Sequence, residues 1–286
     1  MSSCLFAFPN LADAAAVSGG DWNAAMPLAN VLDPVIGNRA RTINDALAST
    51  QFDIDLGTNR GVRVVALAGH NFSSAAVFRI RASTVAGDFS APLHDSGWTG
   101  VWAGTYLSGS VPWESPLFWT AVQTMTGLDG GQPTLIHLLA EETGARYWRI
   151  EINDQSNSDG YVEIGRLFLG SAFQPAANFN WGESIGYADD STIDTAWSGA
   201  EYYDRRTVRR VATLQFDWLT DAEALERVLD MQRLQGVTRE ILFVWDPGDT
   251  VYFSRRSFLA RAETLSPIEN VRLNTHGTAI RLRELI

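Results

Sequence analysis

The chain has 286 residues, with 22 basic and 33 acidic side chains giving a net charge of −11, and 45% of its residues are hydrophobic. At about 100 to 200 residues per domain this predicts two domains, each large enough to bury a core, in a chain of globular composition. The acidity argues against nucleic acid or an anionic membrane as partner, and no run approaches the roughly 20 apolar residues of a membrane span.

The one cysteine, Cys4, excludes an intrachain disulfide. Cys4 without a partner fits synthesis in a reducing compartment, and the N-terminal residues lack the basic start of a signal peptide. All 22 basic residues are arginine. The absence of lysine removes Schiff-base chemistry and a Walker-type phosphate loop. It fits either biased codon usage or a demand for the planar guanidinium in contacts between subunits.

Residues 1–20 read as an N-terminal arm. From Gln51 to Leu169 short strands alternate with turns. Phe52, Ile54 and Leu56 alternate with polar residues, Val62 to Gly69 is a mostly apolar run, and Val77 to Arg81, Tyr147 to Ile152 and Val162 to Ile164 alternate again. Such spacing predicts a β-sandwich or jelly roll. Residues 98–135 interrupt it with Trp98, Trp102, Tyr106, Trp113, Phe118 and Trp119 among Gly, Ser and Pro. An insert of this kind is a contact surface or a cap on one end of the sandwich.

Residues 171–180 read as a linker and 181–286 as a second unit. There the pattern predicts a strand over Arg206 to Trp218. A capping box, Thr220 to Glu223, then opens a helix bearing Leu225, Val228 and Leu229 that stops at Gly236. Strands over Glu240 to Trp245 and Val251 to Ala262 flank a turn at Asp246 to Asp249. A closing hairpin pairs Val271 to Asn274 with Thr278 to Leu285 across His276 and Gly277. This is a small α+β domain with an antiparallel sheet and one main helix. No internal repeat points to a solenoid or propeller.

Catalytic and metal signals are weak. Gly182, Ser184 and Gly186 match the nucleophile-elbow spacing, with His276 downstream, but the flanking sequence lacks the strand before and the helix after. His70, His94, His137 and His276 are scattered, so no metal site is expected. The oxygen-rich loop Asn153 to Gly160 departs from the calcium-loop template and reads as a turn of Asx residues. Asp189 with Asp190 and Glu141 with Glu142 read as solvated charge. No enzyme activity and no cofactor are expected. Arg205, Arg206, Arg209 and Arg210 form the strongest charged feature, with Arg255 and Arg256 later, and suit contact with a neighbouring subunit's carboxylates or a solvated edge.

Asn30 to Asp33, Phe52 to Gly57, Phe78 to Ser83, Ala145 to Ile150 and Glu163 to Gly170 follow the order of the discoidin, or coagulation-factor C-domain, pattern. Over about residues 20 to 170 the chain resembles that family, which implies a mainly β protein with an N-terminal galactose-binding-like jelly roll at 21–170. The family's cysteine bridge is absent, and the aromatic insert lies outside the common pattern. That insert, with Tyr161 to Gly170, is similar to modules of tailed phages and prophages.

The resemblance implies a structural protein of a phage tail tip or baseplate, assembled in the host cytoplasm and located in the virion. Its partners would be other tail proteins and copies of itself. The C-terminal domain would dock into a symmetric assembly through Arg205, Arg206, Arg209 and Arg210, and the jelly roll would project outward. The alternative is a carbohydrate-binding module adhering to a host cell-surface glycan. In it, sugar rings stack on Trp102, Trp113 or Trp119, unless these form a protein interface.

Overall fold

A computed structural model describes residues 2–102, 112–114, 118, 132–249 and 252–286. The chain is mainly β, and every pairing among the described strands is antiparallel. In chain order come β1 (Leu5–Ala7), β2 (Ala16–Ser18), β3 (Ala40–Arg41), β4 (Phe52–Ala68), β5 (Val77–Ser83), β6 (His94–Asp95) and β7 (Thr99–Gly100). They are followed by β8 (Thr134–Asn153), β9 (Glu163–Ile164) and β10 (Arg166–Gly170).

The frame of the first module is a pair of long strands. β4 joins the two predicted strands around Gly57 into one, and it stays paired with β8 from Phe52 opposite Ile150 to Ala68 opposite Thr134. The register shifts between Asp55 and Arg60 and again between Val62 and Val64. The first half of β4 takes β2 as neighbour, and the matching half of β8 takes β5. The second half of β4 takes β10. Ile54, Leu56, Trp148 and Ile150 from one half share a core with Val65, Leu67, Leu135, Leu167 and Leu169 from the other. The apolar side of each half is covered by the other, which makes a β-sandwich. At about 1.5 to 3 kcal/mol for each large apolar side chain taken from water, this burial dominates the module's stability. On the other face the alternate residues pair across strands: Arg149 with Asp53, Arg146 with Asp55, Arg79 with Asp95 and Arg81 with the buried Glu151.

The second sheet draws on both ends of the chain. β11 (Ala172–Phe173) pairs with β1, and β1 pairs with β16 (Glu240–Val244). The sheet continues through β17 (Phe258–Leu265), β19 (Thr275–Glu284) and β15 (Arg209–Leu219) to β12 (Ser184–Ala188), with β18 (Glu269–Arg272) beside β19. Residues expected as an arm and as a linker therefore supply strands, because Phe6 and Phe173 have apolar side chains that this core accepts. Between β12 and β15 projects a separate hairpin of β13 (Thr192–Thr195) and β14 (Glu201–Asp204).

Several local expectations meet corrections. Alternation holds along β15 from Arg210 to Phe216, but a register shift before Leu219 buries Leu219 and leaves Trp218 exposed. The capping box forms, with Thr220 and Glu223 exchanging backbone-to-side-chain bonds of 2.9 and 3.3 Å. A π-type turn, Glu223–Val228, then runs into the α-helix Leu229–Gln235. The wider turn moves the buried face to Ala224, Val228 and Met231 and turns Leu225 and Leu229 to solvent. Gly236 ends the helix at a φ of +55°. The strand expected from Val251 begins only at Phe258, after a short helical turn, Phe253–Arg256. The closing hairpin turns at Leu273 and Asn274, where Arg272 faces Thr275 and Asn274 has a φ of +57°. His276 and Gly277 lie within β19.

The two units meet at a charged and apolar joint. Arg166 of β10 is 1% exposed and donates through Nε to both carboxylate oxygens of Glu240 on β16, each at 3.0 Å. Its other nitrogens reach Asp13 and the Leu32 carbonyl, and Asn10 donates to Glu240 and, at 2.9 Å, to the Leu167 carbonyl. Burial pulls the guanidinium's pKa down, but Glu240 and Asp13 more than offset it and hold Arg166 charged. Around this network Leu5, Val64, Ala66, Phe168, Leu242 and Leu259 form an apolar cluster shared by both sheets.

Candidate functional site

One end of the β-sandwich gathers four loops, after Gly37, after Gly69, after Gly100 and after Asn153. Gly69 lets β4 turn into the second of these. Its φ is +69°, and a side chain there would strike Ile36 at 2.6 Å. His70, Asn71, Phe72 and Ser73 follow. The His70 ring stacks on Phe72 with centroids 4.1 Å apart, and its Nδ1 accepts the Phe72 N–H at 3.2 Å. His70 is buried, and that burial drives its pKa down to about 3, so the imidazole is neutral with its proton on Nε2.

Buried acceptors pin the loops together. Asp154, 1% exposed, accepts the Ser73 N–H at 2.8 Å, the Ser73 hydroxyl, and the Asn157 side-chain amide at 3.0 Å. Asn157 also donates to the Asn71 carbonyl at 3.1 Å and accepts the Asp159 N–H at 3.0 Å. The Asn153-to-Gly160 segment is thus the Asx-rich turn its sequence suggests, with its acidic oxygens engaged by protein donors. Among the described residues no group of three or more His, Cys, Asp or Glu side chains is disposed to hold a metal.

Above this floor lies a mixed polar and aromatic surface. Asn71 donates to Asp159 at 3.0 Å and to the Tyr161 carbonyl at 3.1 Å, while its oxygen accepts the Glu163 N–H at 2.7 Å. Glu163 holds Arg39 at 2.9 Å and the Arg41 Nε at 2.7 Å, and the Arg41 guanidinium lies 4.2 Å above the Tyr161 ring. Trp102 closes the other side. Its indole donates to the Ser73 carbonyl at 2.8 Å, and its ring meets His70 edge-on at 5.5 Å. Half-buried Trp102 and Tyr161 rings therefore flank fixed amide, carboxylate and guanidinium groups. Trp113 is 70% exposed, and Trp119 lies outside the described residues.

The sequence singled out Trp102 and the Asx loop but missed Asn71, Tyr161 and Arg41. The signals were faint: a glycine after an apolar strand, and an aromatic residue after an Asx turn.

The four arginines of the 205–210 cluster do not share one surface. Arg205 and Arg206 are exposed, Arg205 near the Tyr203 ring and Arg206 paired with Asp204 at 3.2 Å. Arg209 lies 4.0 Å from Asp190, which also binds Arg283. Arg210 is internal: it pairs with Glu284, donates to the Ser254 carbonyl at 2.8 Å and covers the Phe258 ring at 4.8 Å. Its partners belong to its own chain because alternation along β15 turns it inward.

Ser184 opens an outer strand with no helix after it, so the nucleophile elbow is not formed. It faces Thr213, which faces Arg281, while His276 lies five residues, about 17 Å, further along β19 and pairs with Asp221 at 2.8 Å. His94 and His137 do meet, Nε2 to Nε2 at 3.2 Å, and burial lowers both pKa values, His137 to about 4.

No protein-family model matches the chain, and no curated protein matches it in sequence. Among solved structures it is similar to the carbohydrate-binding module CBM32-1 of a family 31 glycoside hydrolase from Clostridium perfringens. The match has 11% identity and a TM-score of 0.36 over 57% of this chain and 99% of that one. A fucose-binding module of Streptococcus pneumoniae matches at 12% identity and a TM-score of 0.36, over 57% of this chain and 94% of the module. A mutant of the lectin-binding domain of lectinolysin, complexed with Lewis b, matches at 12% and 0.37, over 57% and 96%.

Proposed function

We propose that the chain binds carbohydrate, with the loop end of the first module as the binding face. The carrying observation is the pairing of half-exposed Trp102 and Tyr161 rings with Asn71 and Asp159, on loops pinned through Asp154, and with Arg41 of β3, held by Glu163. A sugar presents an apolar face of C–H bonds and a rim of hydroxyls. Rings of the first kind and polar groups of the second are what such a ligand requires, and loops ordered beforehand reduce the entropy lost on binding. The sequence resemblance to discoidin domains points the same way.

A glycan array followed by titration calorimetry on the best ligand tests this. Asp159→Ala and Tyr161→Ala are expected to weaken binding about tenfold or more each, with the fold intact by circular dichroism. An array without a hit, or a ligand indifferent to both substitutions, overturns it.

A second reading, the structural component of a phage tail tip, draws on the exposed β13–β14 hairpin, which has the form of an assembly element. Immunogold electron microscopy of particles from the source cells tests it, and purified particles lacking the protein by mass spectrometry would sink it.

A further inference from the structure

The β13–β14 hairpin is exposed along both strands. Its pairs set Ile193 against Tyr203 on one face and Asp194 against Tyr202 on the other. At the tip, closed by the bond from the Ala196 N–H to the Ala200 carbonyl, Trp197 is 110% exposed. A two-stranded hairpin alone is marginally stable in water, and a protein seldom leaves one Trp, two Tyr and an Ile in solvent on such an arm. The same arm is acidic, carrying Asp194, Glu201 and Asp204.

A groove of complementary character lies beside β12, at the edge of the larger sheet. Ile185, Gly186 and Tyr187 of β12, Arg210 of β15, and Tyr252, Arg255 and Arg256 line an open groove of about 170 Å³. β12 is the outermost strand of its sheet among the described residues, so its outer backbone groups are available to another strand. Arg255 is exposed and has no carboxylate partner among the described residues, while Arg256 lies over the Tyr252 ring at 5.1 Å.

We propose that the β13–β14 hairpin of one chain docks in the β12 groove of a second copy, with Trp197 as the anchor and Glu201 or Asp204 meeting Arg255. Three features converge on a second copy: an acidic aromatic arm, a basic aromatic groove and an open strand edge, all in one sequence. The hairpin forms a two-stranded sheet of its own and is exposed along both strands, so it is available for exchange. Aromatic anchors flanked by a charged pair are the usual energetic centre of an interface. The proposal is independent of carbohydrate binding.

Sedimentation velocity of the full chain from about 1 to 100 μM reads the outcome. The wild type is expected to self-associate, and Trp197→Ala and Arg255→Glu are each expected to raise the dissociation constant at least tenfold. A chain with Glu201→Arg and Asp204→Arg and a chain with Arg255→Glu and Arg256→Glu should each be weakened alone and associate when mixed, because the reversed arm then meets the reversed groove and the unchanged arm the unchanged groove. Circular dichroism confirms folding; Trp197→Gln serves if the alanine variant is unstable. A wild type that stays monomeric at 100 μM overturns the proposal, as does association that neither substitution changes.

Discussion

The loop end of the first module and the β13–β14 hairpin of the second both present aromatic rings to solvent, but they are held in opposite ways. At the loop end, Trp102 is fixed by its bond to the Ser73 carbonyl, Ser73 by Asp154, and Asn71 by Asn157 and Glu163. That surface is held by the chain's own hydrogen bonds. The hairpin has its backbone ladder and a few exposed contacts, such as Tyr203 with Glu201 and Arg206 with Asp204, and Tyr202, Tyr203, Ile193 and Trp197 are all exposed. The first arrangement suits recognition of a small rigid ligand, and the second suits an element whose packing is completed by another protein.

Both surfaces hang from the joint at Arg166 and Glu240, and the largest expected effect lies there. Removing one member of a buried pair strands the other's charge, so Glu240→Ala should cost about 3 to 5 kcal/mol in urea unfolding. The double variant Arg166→Met, Glu240→Leu, which removes both charges and keeps volume, should recover most of that loss. Two separate transitions, only one of them shifted, would break the comparison by showing that the modules unfold apart.

Asp154 comes next. Asp154→Ala leaves the Ser73 N–H and the Asn157 amide without their acceptor in a buried place, which costs about 2 to 3 kcal/mol. Glycan binding should fall with stability, since the loops carrying Asn71 and Tyr161 lose their common anchor. Stability lost with binding retained would mean that the floor does not organise the surface.

The protonation of His70 offers a finer test. Its folded pKa of about 3 lies below the ordinary value of 6.5, so the unfolded chain takes up the proton first as pH falls. Its contribution is complete above about pH 6.5 and is lost progressively down to pH 3, at about 1.4 kcal/mol per pH unit. Chemical denaturation at pH 7.0, 6.0 and 5.0 should show this slope in the wild type and a shallower one in His70→Gln. Equal slopes would place the imidazole in contact with water.

Much of the fold was legible because alternation is a strong signal where one face is buried. Ile54, Ile80 and Ile150 inside, and Asp53, Arg81 and Arg149 outside, follow from period two alone. What was hidden depended on pairing between distant segments. Nothing local marks Leu5 to Ala7 as a strand between β11 and β16, and nothing in Arg210 shows that Glu284 waits for it. The absence of lysine, which fits biased codon usage or subunit contacts, gave no hint that Arg149, Arg146, Arg79 and Arg81 complete ion pairs within their own sheet. At the site, Trp102 was visible as an outlying aromatic, but Asn71 and Asp159, 88 residues apart, become a site only through the fold.

The smallest expected effect sharpens the comparison most. If the hairpin contributes nothing to its own chain's core, Trp197→Ala, Tyr203→Ser and Ile193→Thr should each change the stability of the dilute monomer by less than about 0.5 kcal/mol, the ordinary range for exposed positions. Tyr202 and Tyr203 do pair across the hairpin with Asp194 and Ile193, so a few tenths of that range belong to cross-strand contact. Thermal melts at about 1 μM, repeated at 100 μM, separate the two sources of stability. Neutral substitutions at low concentration that become destabilising at high concentration mark rings whose partner is another chain. A loss above about 1 kcal/mol already present at 1 μM would instead show that the arm packs on its own molecule, and the contrast with the loop end would disappear.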